Sequence, residues 1–510
     1  MPPHNSWKMQ FSWVCVASLF ATQVVADEAL ATLSGSNSSA CSLLQSEFPS
    51  HTFLPGSAGY AYETQSQYWT PTAYSTPSCV FVPQNASQVS IAVITMRLTS
   101  SKFAVRSGGH MPIPGYNSID QPGILLSTSN LTNLDLSSDN STVAIGAGNR
   151  WRDVYSYLAP SGLAAVGGRV GGVGVSGYLL GGGISFYSNQ YGFGADNVVK
   201  YECVLASGTV VEATAANEYS DLFWALKGGG NSFCIVTRFD MVTVKSPKVW
   251  VGIAQYDQSQ AAGYLDAVYN FGRYGSADSK AAIIPTILTL PSMNMTVYAA
   301  AKFYDSEADN PTVFENFTSL AAVADSYMLQ PLATYIATTD ALQPTGLRQE
   351  FRVVSSVVNQ DAVNLIHDTF IKLVNVRLDD VANVQASITF QPITKEFIQQ
   401  GINNGGNPQG IDISNAPYFW IVENWTWTNS ADDAVVRDCA DEVTATINDL
   451  LEKHSHHATY LYMNDAGKGQ PVWENYPAEN LGRLKKIRQK YDPLRIYTNL
   501  MSGGWKVAHL

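Results

Sequence analysis

The chain has 510 residues, 45% hydrophobic and 14% charged, more than one core normally fills, so two domains are expected. Its formal net charge is -12 and its Lys and Arg residues are scattered, which leaves no basic stripe for a phosphate backbone and excludes nucleic acid as a partner.

In chain order, the first signal is Lys8, an apolar run over residues 11–20, and small residues ending in Val24, Val25 and Ala26. This pattern predicts a secretory leader over residues 1–26, cleaved after about Ala26. The run falls short of the roughly 20 apolar residues of a membrane anchor and no later stretch qualifies, so the expected product is exported and not membrane-bound. Sequons at Asn37, Asn85, Asn130, Asn140, Asn294, Asn316 and Asn424 agree with a glycosylated, secreted surface. Cys15 leaves with the leader, so an odd set remains. Cys41 and Cys79 are the expected disulfide for an oxidising compartment, while Cys203 and Cys234, in apolar strand-like contexts, are expected as buried thiols beside Cys439.

Residues 60–245 alternate short β-rich runs (102–106, 143–146) with glycine-rich turns and helical stretches such as 152–158, the signature of an α+β domain. Arg106-Ser107-Gly108-Gly109-His110 follows the first of these strands. Two adjacent glycines let backbone N–H groups converge on an anion without Cβ obstruction, and Arg106 and Ser107 add donors, so a pyrophosphate could sit there; an ordinary Gly-Gly turn is the alternative. A second glycine cluster, from Gly167 to Gly183, is mixed with Val170, Val173, Val175, Leu179 and Leu180 and carries no charge except Arg169. A flexible linker would be polar, so this is buried backbone approaching something flat or bulky. Gly228-Gly229-Gly230-Asn231 then leads into Ile235 and Val236. Three such clusters in one domain imply a large phosphorylated cofactor. Neither a Rossmann GxGxxG after a first strand nor a Walker loop is present.

Residues 246–458 lose glycine and alternate strands (296–303, 386–391) with amphipathic helices (361–373), as in a second domain built on an antiparallel sheet. The tail, 459–510, carries a charged helix over 478–491, then Asp492-Pro493 and a final apolar strand. His454, His456 and His457 are close in sequence but point in different directions, and no metal is expected.

The stretches RSGGH, GVGVSGYLLGGG, YGFGADNVV, DLFWALKGGGNSFCIVTRF and KYDPLRIY together resemble the FAD-linked oxidases of the vanillyl-alcohol oxidase (PCMH) type. The nearest subgroup is the berberine-bridge-enzyme-like one, in its fungal members, and the likeness spans nearly the whole chain after the leader. It implies an α+β, two-domain PCMH-type fold. Residues 60–245 and the returning tail would bind FAD, and the antiparallel sheet of 246–458, covered by helices, would roof the isoalloxazine ring. FAD contacts would come from Arg106, Ser107, Gly108, Gly109 and His110, from Gly171, Gly174, Ser176, Tyr178 and Gly181, and from Asn197, Ile235 and Val236. The family's histidine bonded to the flavin 8α-methyl carbon falls at His110. The cysteine that tethers the ring a second time in some members falls at Val170, so a single covalent link is expected. Tyr178 replaces a family histidine near the flavin N1/C2 carbonyl region and can still donate a hydrogen bond.

A covalent flavin of this kind implies a raised potential and hydride abstraction from poor donors such as alcohols, with a base of adjusted pKa. Glu423, a carboxylate within an aromatic and apolar strand, is one candidate base, or a half-exposed strand position. Tyr460, Tyr462 and Asn464 resemble the family's active-site tail motif, where a tyrosine often assists deprotonation. Asp465 stands where tyrosine is common and could take over as base. Trp425 and Trp427 share a strand face, as a sugar platform or a sheet core would. The resemblance implies an oxidase of a small alcohol or secondary metabolite, with dioxygen reoxidising the flavin. Alternatives are a carbohydrate oxidase and a flavin-bearing cyclase without net redox turnover.

Overall fold

The computed structural model describes residues 38–307, 311–341, 343 and 345–507. The expected leader and the Asn37 sequon lie outside the described residues.

Three sheets organise the molecule. The first has the order Thr52–Phe53, Cys79–Phe81, Ile124–Ser127, Phe103–Arg106, with the last three strands parallel. It begins before residue 60, and helix Ser38–Glu47 packs against it through Cys41, whose disulfide to Cys79 is formed as expected. The second sheet is antiparallel: Leu134–Leu136, Thr142–Gly146, Ile235–Lys245, Val198–Val204, Val210–Thr214. The expected buried thiols Cys203 and Cys234 are instead joined as a second disulfide, their Cα atoms 5.8 Å apart where these two strands meet. That proximity is set by strand pairing across 31 positions and leaves no local trace.

The third sheet is eight-stranded and antiparallel, centred on Ala281–Leu290, Gln385–Ile393 and Tyr418–Trp427, with Arg348–Val357 at one edge. Ala281–Leu290 alternates buried and half-buried residues without a break, the period-2 pattern that aims alternate side chains at opposite faces. Helices Gln360–Arg377 and Asp433–Lys453 cover one face; the first is started by Asn359, whose side chain accepts from the N–H groups of Asp361 and Ala362. Phe419, Ile421, Trp425 and Trp427 point into that layer and are fully buried, so the tryptophans form sheet core and no sugar platform. Cys439 is buried in the same layer, the one free thiol among the described residues. The opposite face, through Trp420, packs on Phe193, Tyr460 and Tyr462 of the glycine-rich half.

Helix Ala478–Tyr491 forms as predicted, but no strand follows it among the described residues. The Asp492 carboxylate accepts from the backbone N–H of Ile496 (2.7 Å) and Tyr497 (2.8 Å), winding Ile496–Leu500 into a wide helical turn. Beyond it Ser502 N–H donates to Phe103 O at 2.8 Å, and Trp505 Nε1–H donates to Met463 O at 3.2 Å. The tail is thereby fixed against the first sheet.

Candidate active site

Strand Phe103–Arg106 delivers the segment Ser107 to His110 to the floor of a cavity of about 380 Å³. Gly108 lies directly on Gly174: a Cβ at Gly108 would stand 2.4 Å from the Gly174 backbone. Gly109 has φ +70°, and a Cβ there would meet the Gln67 carbonyl oxygen at 2.2 Å. Two glycine clusters are therefore in backbone contact, which no other residue type permits. The Ser107 and Ser176 hydroxyls both donate to Ala147 O, at 2.6 and 2.9 Å. Ser107, Gly108, Gly109, His110, Gly174, Ser176, Tyr178, Gly181, Ile235 and Val236 all line the cavity.

Three expected cofactor contacts do not. Arg106 is fully buried and turned away, ion-paired with Glu63 and bonded to Ser127. Gly171 packs against Ile336 and Asp340, and the Asn197 carboxamide donates to the Tyr191 and Phe193 carbonyls at 2.9 and 2.8 Å to close a turn.

His110 stacks on Trp69, ring centroids 4.2 Å apart and 12° from parallel. Arg150 donates through Nε and Nη2 to Gly108 O and through Nη2 to Gln67 O, clamping the backbone that carries the imidazole. Burial first, then the Arg150 charge, lower the His110 pKa to about 4 against an opposing pull from Asp340, so the ring is neutral at ordinary pH. Val170, also in the wall, has no thiol.

The tail contributes Tyr462, Asn464 and Asp465 to the cavity wall. The Tyr462 phenol oxygen accepts from Ile184 N–H (3.2 Å) and Asn464 Nδ2 (3.0 Å), and Asn464 Nδ2 also donates to Tyr178 O (3.0 Å). Burial raises the Tyr462 pKa well above that of a free phenol, and Asp465 adds to it. Asp465 Oδ2 accepts from Gln391 Nε2 at 2.7 Å, and burial pushes its pKa up to about 6. Gln391 Oε1 in turn accepts from Arg169, whose side chain lines the cavity beside Asp465.

Two candidate bases drop out. Glu423 is fully buried on the helix-covered face of the third sheet, where Thr444 Oγ1 donates to it at 2.9 Å, so the sheet separates it from the cavity. Its pKa is pushed up to about 7, as its apolar setting implied, but by a structural site. Tyr460 lies outside the cavity wall, its ring against Trp420 and Tyr476. Sequence reasoning missed Trp69, Arg150, Arg169 and Gln391 as site residues. Only Arg169 carried a signal, as the single charge in a glycine-rich apolar run.

Residues 77–214 match the model of the FAD binding domain family. Over 498 residues the chain is 34% identical to the FAD-dependent monooxygenase prx3 of Penicillium roqueforti, covering 94% of this chain and 96% of that protein. Among solved structures, glucooligosaccharide oxidase from Acremonium strictum, described with a 6-S-cysteinyl, 8α-N1-histidyl FAD, superposes with a TM-score of 0.73 at 16% identity, covering 91% and 99% of the two chains. Berberine bridge enzyme from Eschscholzia californica superposes with a TM-score of 0.70 at 17% identity, covering 88% and 95%.

Fold, glycine-lined trough and these likenesses define an FAD-dependent oxidoreductase with the two-domain PCMH-type architecture. The chain belongs to the family of fungal FAD-dependent monooxygenases represented by prx3, carries the FAD binding domain, and shares its fold with berberine bridge enzyme. The trough suits a flavin dinucleotide: bare glycine backbone on one side, and Val105, Val173, Ile235 and Val236 as apolar walls.

Proposed function

We propose that this chain is a secreted oxidase that holds FAD covalently through His110 alone and oxidises a small alcohol or secondary metabolite, with dioxygen as the final acceptor. The observation that carries the reading is the convergence on one cavity of a neutral, stacked imidazole and a carboxylate with a pKa of about 6. The bound flavin supplies the two-electron acceptor. His110, uncharged and held flat against Trp69, presents a nucleophilic nitrogen for the tether. Tyr462, its oxygen fixed by two N–H donors, has its own O–H free to orient a substrate oxygen. Asp465 takes the substrate hydroxyl proton, its pKa lying near the operating pH where a base works best. Residues 60–245 and 459–510 would then serve the cofactor and 246–458 the substrate.

Exposed Asn85, Asn130, Asn140, Asn294 and Asn316 suit glycans. Asn424 does not, being half-buried in a central strand with its carboxamide oxygen enclosed. The export reading is also supported by the two disulfides and by the lack of a membrane-spanning helix among the described residues.

The test is mass spectrometry of the tryptic peptide containing His110, together with a screen of alcohols, phenols and oligosaccharides for peroxide release. The expected result is an FAD adduct on that peptide and peroxide from a small alcohol. An unmodified peptide from active protein removes the tether. Anaerobic flavin that no compound bleaches removes the oxidase and favours the cyclase alternative.

A further inference from the structure

We infer that the substrate carries a delocalised oxyanion, a carboxylate or the enolate of an acidic enol, on an apolar body, and that Arg169 binds that head. This rests on the proposed reading of Tyr462 and Asp465 as the residues that handle substrate beside the flavin. Arg169 follows Gly167 and Gly168, whose backbones are pressed onto the Trp151 ring; a Cβ at either would stand 2.2 or 2.5 Å from ring carbons. The backbone is fixed there, and Arg169 lines the cavity.

Two other buried arginines are matched by carboxylates, Arg106 by Glu63 and Arg352 by Glu350 and Asp441, whereas Arg488 donates only to the Asp492 backbone carbonyl. Among the described residues Arg169 forms no ion pair, and its one hydrogen-bond partner is the neutral Gln391 carboxamide. Gln391 is 1% exposed and is held in turn by Asp465, so it stands between the guanidinium and the nearest carboxylate. Burial lowers the Arg169 pKa from its ordinary value, against an opposing pull from the Asp465 carboxylate that replaces only part of the lost hydration.

A guanidinium carries five N–H donors in a planar fork, and the carboxamide uses one side of it. Arg169 lines the cavity together with Ile184, Phe351, Tyr462 and Met463. A planar oxyanion would satisfy the fork with charge-assisted hydrogen bonds, and the apolar walls would take the body attached to it. A neutral alcohol lacking such a head would leave Arg169 with Asp465 as its main opposite charge and the rest of its fork without an acceptor.

The test uses the flavin-loaded protein and reads perturbation of the visible flavin spectrum during titration with two pairs of probes. Benzoate and 1,3-cyclohexanedione bear the oxyanion; benzamide and cyclohexanone are their neutral counterparts. Saturable binding of at least one anionic probe, well ahead of its neutral partner, is expected, and the pair that responds distinguishes carboxylate from enolate. Arg169→Gln should weaken the anionic probe about 10- to 100-fold, the worth of a charged hydrogen bond, and leave its neutral partner unchanged. Gln391→Glu keeps the cation but pairs it internally, and should weaken the same probe even if the first variant fails to retain flavin. Equal binding of charged and neutral probes by the parent protein, no binding of either, or undiminished anion affinity in Gln391→Glu would overturn the inference. Protein that never acquires flavin would instead overturn the reading on which it rests.

Discussion

Replacing Asp465 by asparagine separates catalysis from stability. The asparagine oxygen can still accept from Gln391 Nε2, so the 2.7 Å contact survives while the charge is lost. As general base, the carboxylate contributes roughly 100- to 10,000-fold to flavin reduction, so the variant should be slower by that factor in anaerobic stopped flow. The parent rate should fall as pH drops through about 6, where Asp465 becomes protonated, and the variant should lose that limb. Stability should move the other way. With a folded-state pKa raised from 3.8 to about 6, the group's stabilising contribution is full below 3.8 and is lost as pH rises through 6. At pH 7.5 the buried charge costs on the order of 3 kcal/mol, two pKa units at 1.36 kcal/mol each, and the variant should melt higher by scanning calorimetry. A variant reducing its flavin within tenfold of the parent, or keeping the acid limb, would refute the assignment of the base.

Tyr462→Phe leaves Ile184 N–H and Asn464 Nδ2 without their phenol acceptor, costing about 1–3 kcal/mol for each donor so stranded, and should lower both the melting temperature and the rate of flavin reduction. Gly174→Ala forces a methyl against Gly108 backbone at 2.5 Å, an overpacking worth roughly 1–3 kcal/mol, and flavin content per chain by absorbance should fall. In flavin-free protein, His110 with its pKa lowered to about 4 contributes stability that is full above 6.5 and is lost as pH falls from 6.5 to 4; chemical denaturation across that window should show the loss, and His110→Ala should abolish it. Glu423→Gln, on the far side of the sheet, should leave the flavin-reduction rate unchanged.

The glycine clusters were legible because their cause is local: a chain that must lie within van der Waals distance of another backbone or of a planar ring has to omit Cβ, and composition records the omission. Strand periodicity and helix amphipathicity made the long elements around the third sheet readable for the same reason, with ends moved by only a few residues. Which face a strand residue occupies was not legible. Glu423 and Asn424 are neighbours on one strand, and only the layer packed on each side decides that the glutamate belongs to the helices. Arg106 failed for a related reason, since its partner Glu63 lies 43 positions earlier and captures the guanidinium before a phosphate can. Gln391 acquires its place between Arg169 and Asp465 purely from tertiary packing, and no spacing rule could have singled it out.

The Cys439 sulfhydryl, the one free thiol among the described residues, offers a built-in clock. Enclosure among helix and sheet side chains pushes its pKa up to about 12, so alkylating reagents should find no reactive thiolate while the roof stays shut. In a chain lacking residues 1–26, with both disulfides formed, each molecule then takes up label only when that helical cover lifts, and the labelling rate times the breathing of the helices over the third sheet.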